Sequence, residues 1–289
     1  MKTPALPPAP ALNAELAALD RRAQTCVVRD GDRETVWRKF GSGPPLVLIH
    51  GGHGNWLHWV RNIEPLSATH TLWIPDLPGF GESDALPGDP HAADRLDCLV
   101  GTVIAALDRL VGVDATVSLA GFSFGALVAA QVAARRGGTA RLALLGPAGH
   151  GGTRRQRMEM MDWRKDDPHA MRSALRHNLL ALMLHEQASI DETAMLVHEL
   201  ACRATRFRSK AISRQALLES ALDAFDGPTL LIWGEHDVTA SPIDVANRIA
   251  GPATHRDWCL VPGAGHWVQY ERHRDINTLL ARWFGSEPR

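Results

Sequence analysis

Six short apolar runs recur along the chain, each stopping at or just before a glycine, a proline or a histidine. They are Leu46–Ile49 ahead of His50, Leu72–Ile74 ahead of Pro75, Val117–Leu119 ahead of Gly121, Leu142–Leu145 ahead of Gly146, Leu230–Trp233 ahead of Gly234 and Trp258–Val261 ahead of Pro262. A run with no polar alternation offers no face to water, so as a strand it must be covered on both sides. Helical patterns fall between the runs. Ala92–Val111 repeats apolar residues at Leu96, Leu99, Val100, Val103, Ile104 and Leu107, and Ala126–Ala134 and Asp275–Phe284 are further helices. Strands alternating with helices predict a parallel sheet covered on both faces, with ligands beyond the carboxyl ends of the strands. Thr25–Arg29 and Thr35–Phe40 flank an Asp30-Gly31-Asp32 turn and add an antiparallel hairpin. The expectation is an α/β fold with a mostly parallel eight-stranded sheet.

One segment breaks the alternation. Residues 149–222 hold no convincing strand and read as helices over Arg154–Trp163, Pro168–Leu184, Asp191–Ala201 and Ile212–Leu222. An all-helical insert after the sixth strand reads as a cap over the strand ends. The expected division is a flexible tail over 1–20, a core from 21–148 and 223–289, and a cap over 149–222. Residues 151–215 carry 12 Lys/Arg against 8 Asp/Glu, which reads as a solvated basic helix surface or, alternatively, as a mild bias toward an anionic substrate.

Composition narrows the class. The 289 residues balance 31 basic against 32 acidic side chains, which excludes a strong nucleic-acid footprint. Four isolated cysteines, Cys26, Cys98, Cys202 and Cys259, read as buried free thiols in a reducing compartment. Met1–Leu12 has one lysine and four prolines, unlike a signal peptide. Ala115–Ala134 is uncharged over a bilayer-spanning length, but its glycines and β-branched first half read as strand, turn and buried helix. The expectation is a cytoplasmic protein with no membrane partner.

The chemistry lies at the ends of the strands. Gly121-Phe122-Ser123-Phe124-Gly125 is G-x-S-x-G between a strand and a helix, a context that holds a serine on a sharp turn with its Oγ exposed. A serine hydroxyl needs a base, and His266, in Gly263-Ala264-Gly265-His266 after the last strand, is the candidate. The base needs an acid to fix its tautomer. Asp237, just past the preceding strand, completes the chain order Ser…Asp…His, with Glu235 as the alternative. Backbone N–H groups of Gly52, in His50-Gly51-Gly52-His53-Gly54, and of Phe124 are the expected donors to an oxyanion. Gly51, His53, Trp56, Phe122 and Trp267 are candidate pocket residues. No phosphate loop and no metal-ligand spacing is present, so no cofactor and no metal is expected.

These motifs together resemble the α/β-hydrolases over nearly the whole chain. The resemblance rests on His50-Gly51-Gly52, Asp76-Leu77-Pro78-Gly79-Phe80-Gly81-Glu82-Ser83-Asp84, the Ser123 turn, Gly234 with Asp237, and Gly265-His266. It implies a structural role for Asp76 and a serine hydrolase of small acyl substrates acting through an acyl-enzyme. Arg61-Asn62, Gly146-Pro147 and Gly265-His266-Trp267 with Gln269 and Glu271 are similar to the meta-cleavage-product hydrolases. That likeness implies carbon–carbon bond hydrolysis as the alternative. It places His58 in the pocket, where that group has Asn, and makes Arg203, Arg206 and Arg208 candidates for a substrate carboxylate. The expected partner is a small acyl compound, aromatic or anionic, and the cap surface leaves room for a homodimer. A ligand receptor without turnover is a further reading of the same fold.

Overall fold

A computed structural model describes residue 6 and residues 8–285. Eight strands form one sheet: β1 Gln24–Asp30, β2 Arg33–Phe40, β3 Pro45–Ile49, β4 Thr71–Pro75, β5 Val117–Phe122, β6 Thr139–Leu145, β7 Thr229–Gly234 and β8 Arg256–Val261. Their spatial order is β1-β2-β4-β3-β5-β6-β7-β8. β2 runs antiparallel to both β1 and β4, and every later pairing is parallel. All six apolar runs are strands.

The helices are α1 Ala14–Arg22, α2 Ile63–Ser67, α3 Arg95–Val111, α4 Phe124–Arg135, α5 Pro168–Asn178, α6 Glu192–Ala204, α7 Ser209–Ser213, α8 Leu218–Asp223, α9 Pro242–Ala250, α10 Val268–Glu271 and α11 His273–Gly285. A 3-10 turn, Trp56–Trp59, follows β3. Period-two alternation sends Leu46 and Leu48 of β3 to one side with α1, α2 and α11. It sends Val47 and Ile49 to the other side with α3, α4 and α9. Two apolar cores thus sandwich the sheet. None of the described helices is long and apolar enough to cross a membrane. All four cysteines are free, but the expected burial holds only for Cys202: Cys26 and Cys259 are half-buried, and Cys98 is exposed on α3.

Residues 14–20 are not a flexible tail. Asn13 caps α1 through its side chain, which accepts from Leu16 N–H at 2.9 Å. Leu16 is wholly buried, and Asp20 accepts from Arg38 Nε at 3.2 Å. Met1 to Ala5 and Pro7 lie outside the described residues.

The insert between β6 and β7 contains no strand but differs from expectation in two places. Arg154–Trp163 is irregular chain, because its groups are used elsewhere. The Arg155 guanidinium donates to carbonyls beyond β7, and Asn178 both accepts from Met161 N–H (2.8 Å) and donates to Met161 O (2.9 Å). Ile212–Leu222 is broken at its centre, where Leu217 and Leu218 N–H both donate to Gly149 O at 2.8 and 2.9 Å. The other two expected helices are α5, which widens into a π-helical turn over Leu179–Met183, and α6.

Docking of α1 predicts that Leu16→Ala lowers the unfolding free energy by about 2–5 kcal/mol in a denaturant titration. An undocked segment would tolerate the change without loss.

Candidate active site

The site is built where β5 meets α4. Ser123 occupies a positive-φ conformation, φ 53° and ψ −117°, which costs a non-glycine residue on the order of 1–3 kcal/mol. Neighbours enforce it: Ser123 N–H donates to Leu145 O at 2.8 Å, and Ser123 O accepts from Ala126 and Ala148 N–H at 3.0 and 3.1 Å. The flanking glycines permit the close approach. A Cβ on Gly125 would lie 2.2 Å from His50 O, and one on Gly121 would lie 2.4 Å from Gly125 O. The start of α4 is thereby pressed against the end of β3.

His266 arrives on the loop after β8 with Nε2 2.9 Å from Ser123 Oγ. Its Nδ1 lies 2.8 Å from Asp237 Oδ2. A carboxylate only accepts, so Nδ1 carries the proton and the Nε2 lone pair faces the serine. Both side chains are buried. The second carboxylate oxygen, Oδ1, accepts from Thr239 N–H and Thr239 Oγ1, both at 2.7 Å. Burial pushes the Asp237 carboxyl upward, but the charge and hydrogen bond of His266 and the two bonds from Thr239 outweigh it, and the group lies below the usual range. Gly146 leaves room for this contact, since a Cβ there would lie 2.8 Å from His266 Nδ1. Arg155 ties down the acid loop, donating to the carbonyls of Glu235 (2.6 Å), Asp237 (3.0 Å) and Ala240 (3.1 Å). Glu235 itself accepts from Gly263 N–H at 3.0 Å, leaving Asp237 as the carboxylate on His266.

Two buried histidines shape the loop after β3. His50 Nε2 accepts from Leu77 N–H at 2.9 Å, so its proton sits on Nδ1 and is donated to Gly51 O at 2.7 Å. His58 Nδ1 accepts from Gly51 N–H at 3.2 Å. Burial lowers His50 to about 4, with its bond to Gly51 opposing, and holds His58 well below the usual histidine value, helped by neighbouring histidines. Both ends of Gly51 are therefore committed. Gly52 N–H has no acceptor among the described residues, and Phe124 N–H, first in α4, has no intrahelical one.

The other expected pocket residues divide. Phe122 lies 5.0 Å from the His266 ring and 5.4 Å from His58, with Trp267 5.2 Å from His58, an aromatic cluster beside His266. Trp267 Nε1 donates to His58 O at 3.0 Å. Trp56 packs on Phe40 and under Arg38, within the core. Arg203 is held by Glu199, with Nε 2.9 Å from its carboxylate, and Arg206 donates to Gly81, Ser83 and Ala204 carbonyls. His53, at φ 50°, follows Gly52. Asp76 is buried, accepts from Trp56 and Glu82 N–H at 2.9 and 3.0 Å, and is pushed up to about 6 by burial against the pull of Arg38.

Several contributors carried no sequence signal. Thr239 and Arg155 are defined only by where their loops fold. Ser209 Oγ lies 2.5 Å from where a Gly52 Cβ would stand, and the Phe207 ring lies tilted against Phe80 and Phe124 at 5.6 Å each. Both bring the insert onto the core. Glu271, singled out for resemblance alone, accepts from Gly265 (2.6 Å), His185 (3.0 Å) and Glu186 (2.7 Å) N–H, so it joins the His266 loop to the insert. Among the described residues, no group of three or more His, Cys, Asp or Glu side chains could hold a metal ion.

A sheet of this order with a serine turn at its centre defines an α/β-hydrolase fold. The model of the family described as "Alpha/beta hydrolase family" matches residues 46–279, and the chain belongs to that family. The chain is 30% identical over 271 residues to the dihydrolipoyllysine-residue acetyltransferase component of the acetoin cleaving system of Pseudomonas putida, covering 86% of this chain and 66% of that protein. It is 25% identical to 2-hydroxy-6-oxo-6-phenylhexa-2,4-dienoate hydrolase of Burkholderia cepacia, covering 83% of this chain and 87% of that one. The fold is shared with an esterase from Rhodococcus sp. ECU1013, at a TM-score of 0.75 and 21% identity, over 92% of this chain and 99% of that one.

The buried histidine at the loop gives a pH signature. The unfolded chain protonates His50 near its ordinary value of 6.5, while the folded state resists down to about 4. Stability is thus intact above about pH 6.5 and falls towards pH 4, by roughly 3 kcal/mol for this group. Asp76 works oppositely, because its folded-state value is raised from 3.8 to about 6. Denaturant titrations should therefore show His50→Gln losing about 2–3 kcal/mol less than wild type between about pH 7 and pH 4.5. Parallel pH profiles would refute the assignment.

Proposed function

We propose that this α/β-hydrolase cleaves a small acyl compound, carboxylic ester or similar, by nucleophilic catalysis from Ser123. The observation that carries the reading is the unbroken relay of Ser123 Oγ, His266 and Asp237 at 2.9 and 2.8 Å. Ser123 Oγ attacks the carbonyl carbon while His266 Nε2 takes its proton. Asp237, held by Thr239, stabilises the imidazolium. The oxyanion is received by the N–H groups of Gly52 and Phe124, each worth about 3–4 kcal/mol in such sites. His266 then protonates the leaving group, and water, deprotonated by His266, releases the acid and restores Ser123. Residues 149–222 act as the cap, a role supported by Ser209 against Gly52, Phe207 against Phe124 and Met183 O accepting from Trp267 N–H at 2.6 Å.

The second reading is hydrolysis of a carbon–carbon bond, favoured by the relative named as a 2-hydroxy-6-oxo-6-phenylhexa-2,4-dienoate hydrolase. The ester reading is preferred because Arg203, a candidate for the dienoate carboxylate, is already paired with Glu199.

The test pairs a short-chain p-nitrophenyl ester with a 2-hydroxy-6-oxo-dienoate, each with wild type and Ser123→Ala. Ester turnover should fall at least about 10³-fold in the variant, with the dienoate untouched. Fast Ser123-dependent loss of the dienoate would select the second reading. A Ser123→Ala enzyme within about tenfold of wild type on the ester would overturn nucleophilic catalysis, and ligand-induced stabilisation without any turnover would indicate a receptor.

A further inference from the structure

The chain as a whole is almost neutral, yet one groove is strongly cationic. A cavity of about 880 Å³ runs between the α3–α4 side of the core and the insert, and His53 of the loop after β3 is among its lining residues. Its walls carry seven Lys/Arg side chains against a single carboxylate, Asp97, which pairs with Arg135 at 2.6 Å. The remaining six are Arg95, Arg164, Arg206, Arg208, Lys210 and Arg214. None is within ion-pairing distance of a carboxylate among the described residues. Arg95 and Arg206 are oriented by backbone carbonyls, which fix the guanidinium without neutralising it.

Unpaired like charges facing one groove repel one another and raise its potential, most strongly at low salt. A single carboxylate would neutralise one of six. Guanidinium forks match phosphate oxygens in bidentate geometry, so a phosphorylated group carrying two or more charges fits the excess. Position ties the groove to the reaction. Ser209, between Arg208 and Lys210, touches the Gly52 position. Desolvation and the charges of Arg164 and Lys210 lower His53 below its ordinary value, so these cations are felt one residue from the proposed oxyanion donor.

We infer that the groove binds the non-acyl half of the substrate, and that this half is a phosphorylated polyanion joined to the acyl group through an ester or thioester. The inference rests on the acyl-transfer reading above and names its substrate class. Ser123 would attack the acyl carbon, the bond to the phosphorylated alcohol or thiol would break, and His266 would return the proton to that leaving group. Water then yields the free acid, so that one ester or thioester and one water become one acid and one alcohol or thiol.

The test compares matched substrates with and without phosphate at an ionic strength of about 20 mM. One pair is butyryl-coenzyme A and butyryl-N-acetylcysteamine; the other is 1-butyryl-glycerol-3-phosphate and monobutyrin. The phosphorylated member of at least one pair should show kcat/KM higher by about tenfold or more, falling towards parity at about 0.5 M salt. Which pair responds distinguishes a nucleotide-type carrier from a lipid headgroup. The double variant R208Q/K210Q, and R164Q separately, should reduce that ratio to within about threefold. Parity within about twofold in both pairs at low salt, or a preference insensitive to these substitutions, would overturn the inference. If neither neutral nor charged acyl compounds are hydrolysed, the acyl-transfer reading itself has failed. Calorimetry then decides the groove alone: coenzyme A should bind the S123A protein with Kd below about 100 μM, weakened about tenfold by R208Q/K210Q. A Kd above about 1 mM would refute it.

Discussion

The contact on which the rest depends is the approach of α4 to the end of β3. Gly125 comes so near the carbonyls of Ile49 and His50 that no side chain could stand there. That approach sets the β5–α4 turn, and the turn holds Ser123 at positive φ. The same contact places Phe124 N–H, at the start of α4, beside the Gly51-Gly52 loop. The strained serine is followed by a helix anchored in the core on the α3 side of the sheet, through Phe124, Leu127, Val128 and Val132.

Around this point the protein fixes protons as firmly as it fixes atoms. Gly51 is gripped at its carbonyl by His50 and at its N–H by His58; accepting from Leu77 N–H requires a neutral His50, and accepting from Gly51 N–H requires a neutral His58. Burial supplies that neutrality. Asp237 is the reverse case, a buried carboxylate kept charged by Thr239 and His266. Neutral histidines around the loop and an ionised acid behind the base are the arrangement that lets His266 take a proton from Ser123 in the proposed mechanism. The insert meets the candidate site from outside: Phe207 lies against Phe124 of α4, Ser209 against Gly52, and the His185 N–H donates to Glu271 of α10.

The strands were legible in the sequence because burial on both faces removes polar residues from them, as Val47 and Leu48 show by facing opposite cores. Ser123, Asp237 and His266 were legible because each sits at the end of such a strand, and the structure brings their side chains within hydrogen-bonding distance. What was not legible depends on partners distant in the chain. Arg154–Trp163 has helical composition but is irregular because Arg155 serves three carbonyls more than 75 positions later. α1 hides behind prolines, and only its docking through Leu16 and Arg38 distinguishes it from a tail. His58, expected as a pocket residue through resemblance, instead holds the loop. The basic bias of the insert was visible as a count, but its focus in one groove needed the fold.

A serine activated as a nucleophile by its surroundings can be trapped covalently, and Ser123 is the residue to trap. The intact protein is treated with a fluorophosphonate ester near neutral pH and examined by mass spectrometry, beside Ser123→Ala and His266→Gln. A single adduct per chain is expected on Ser123, absent from Ser123→Ala and formed at least about 10³-fold more slowly in His266→Gln. No adduct, an adduct on another residue, or labelling at an undiminished rate in His266→Gln would show that Ser123 is not an activated nucleophile.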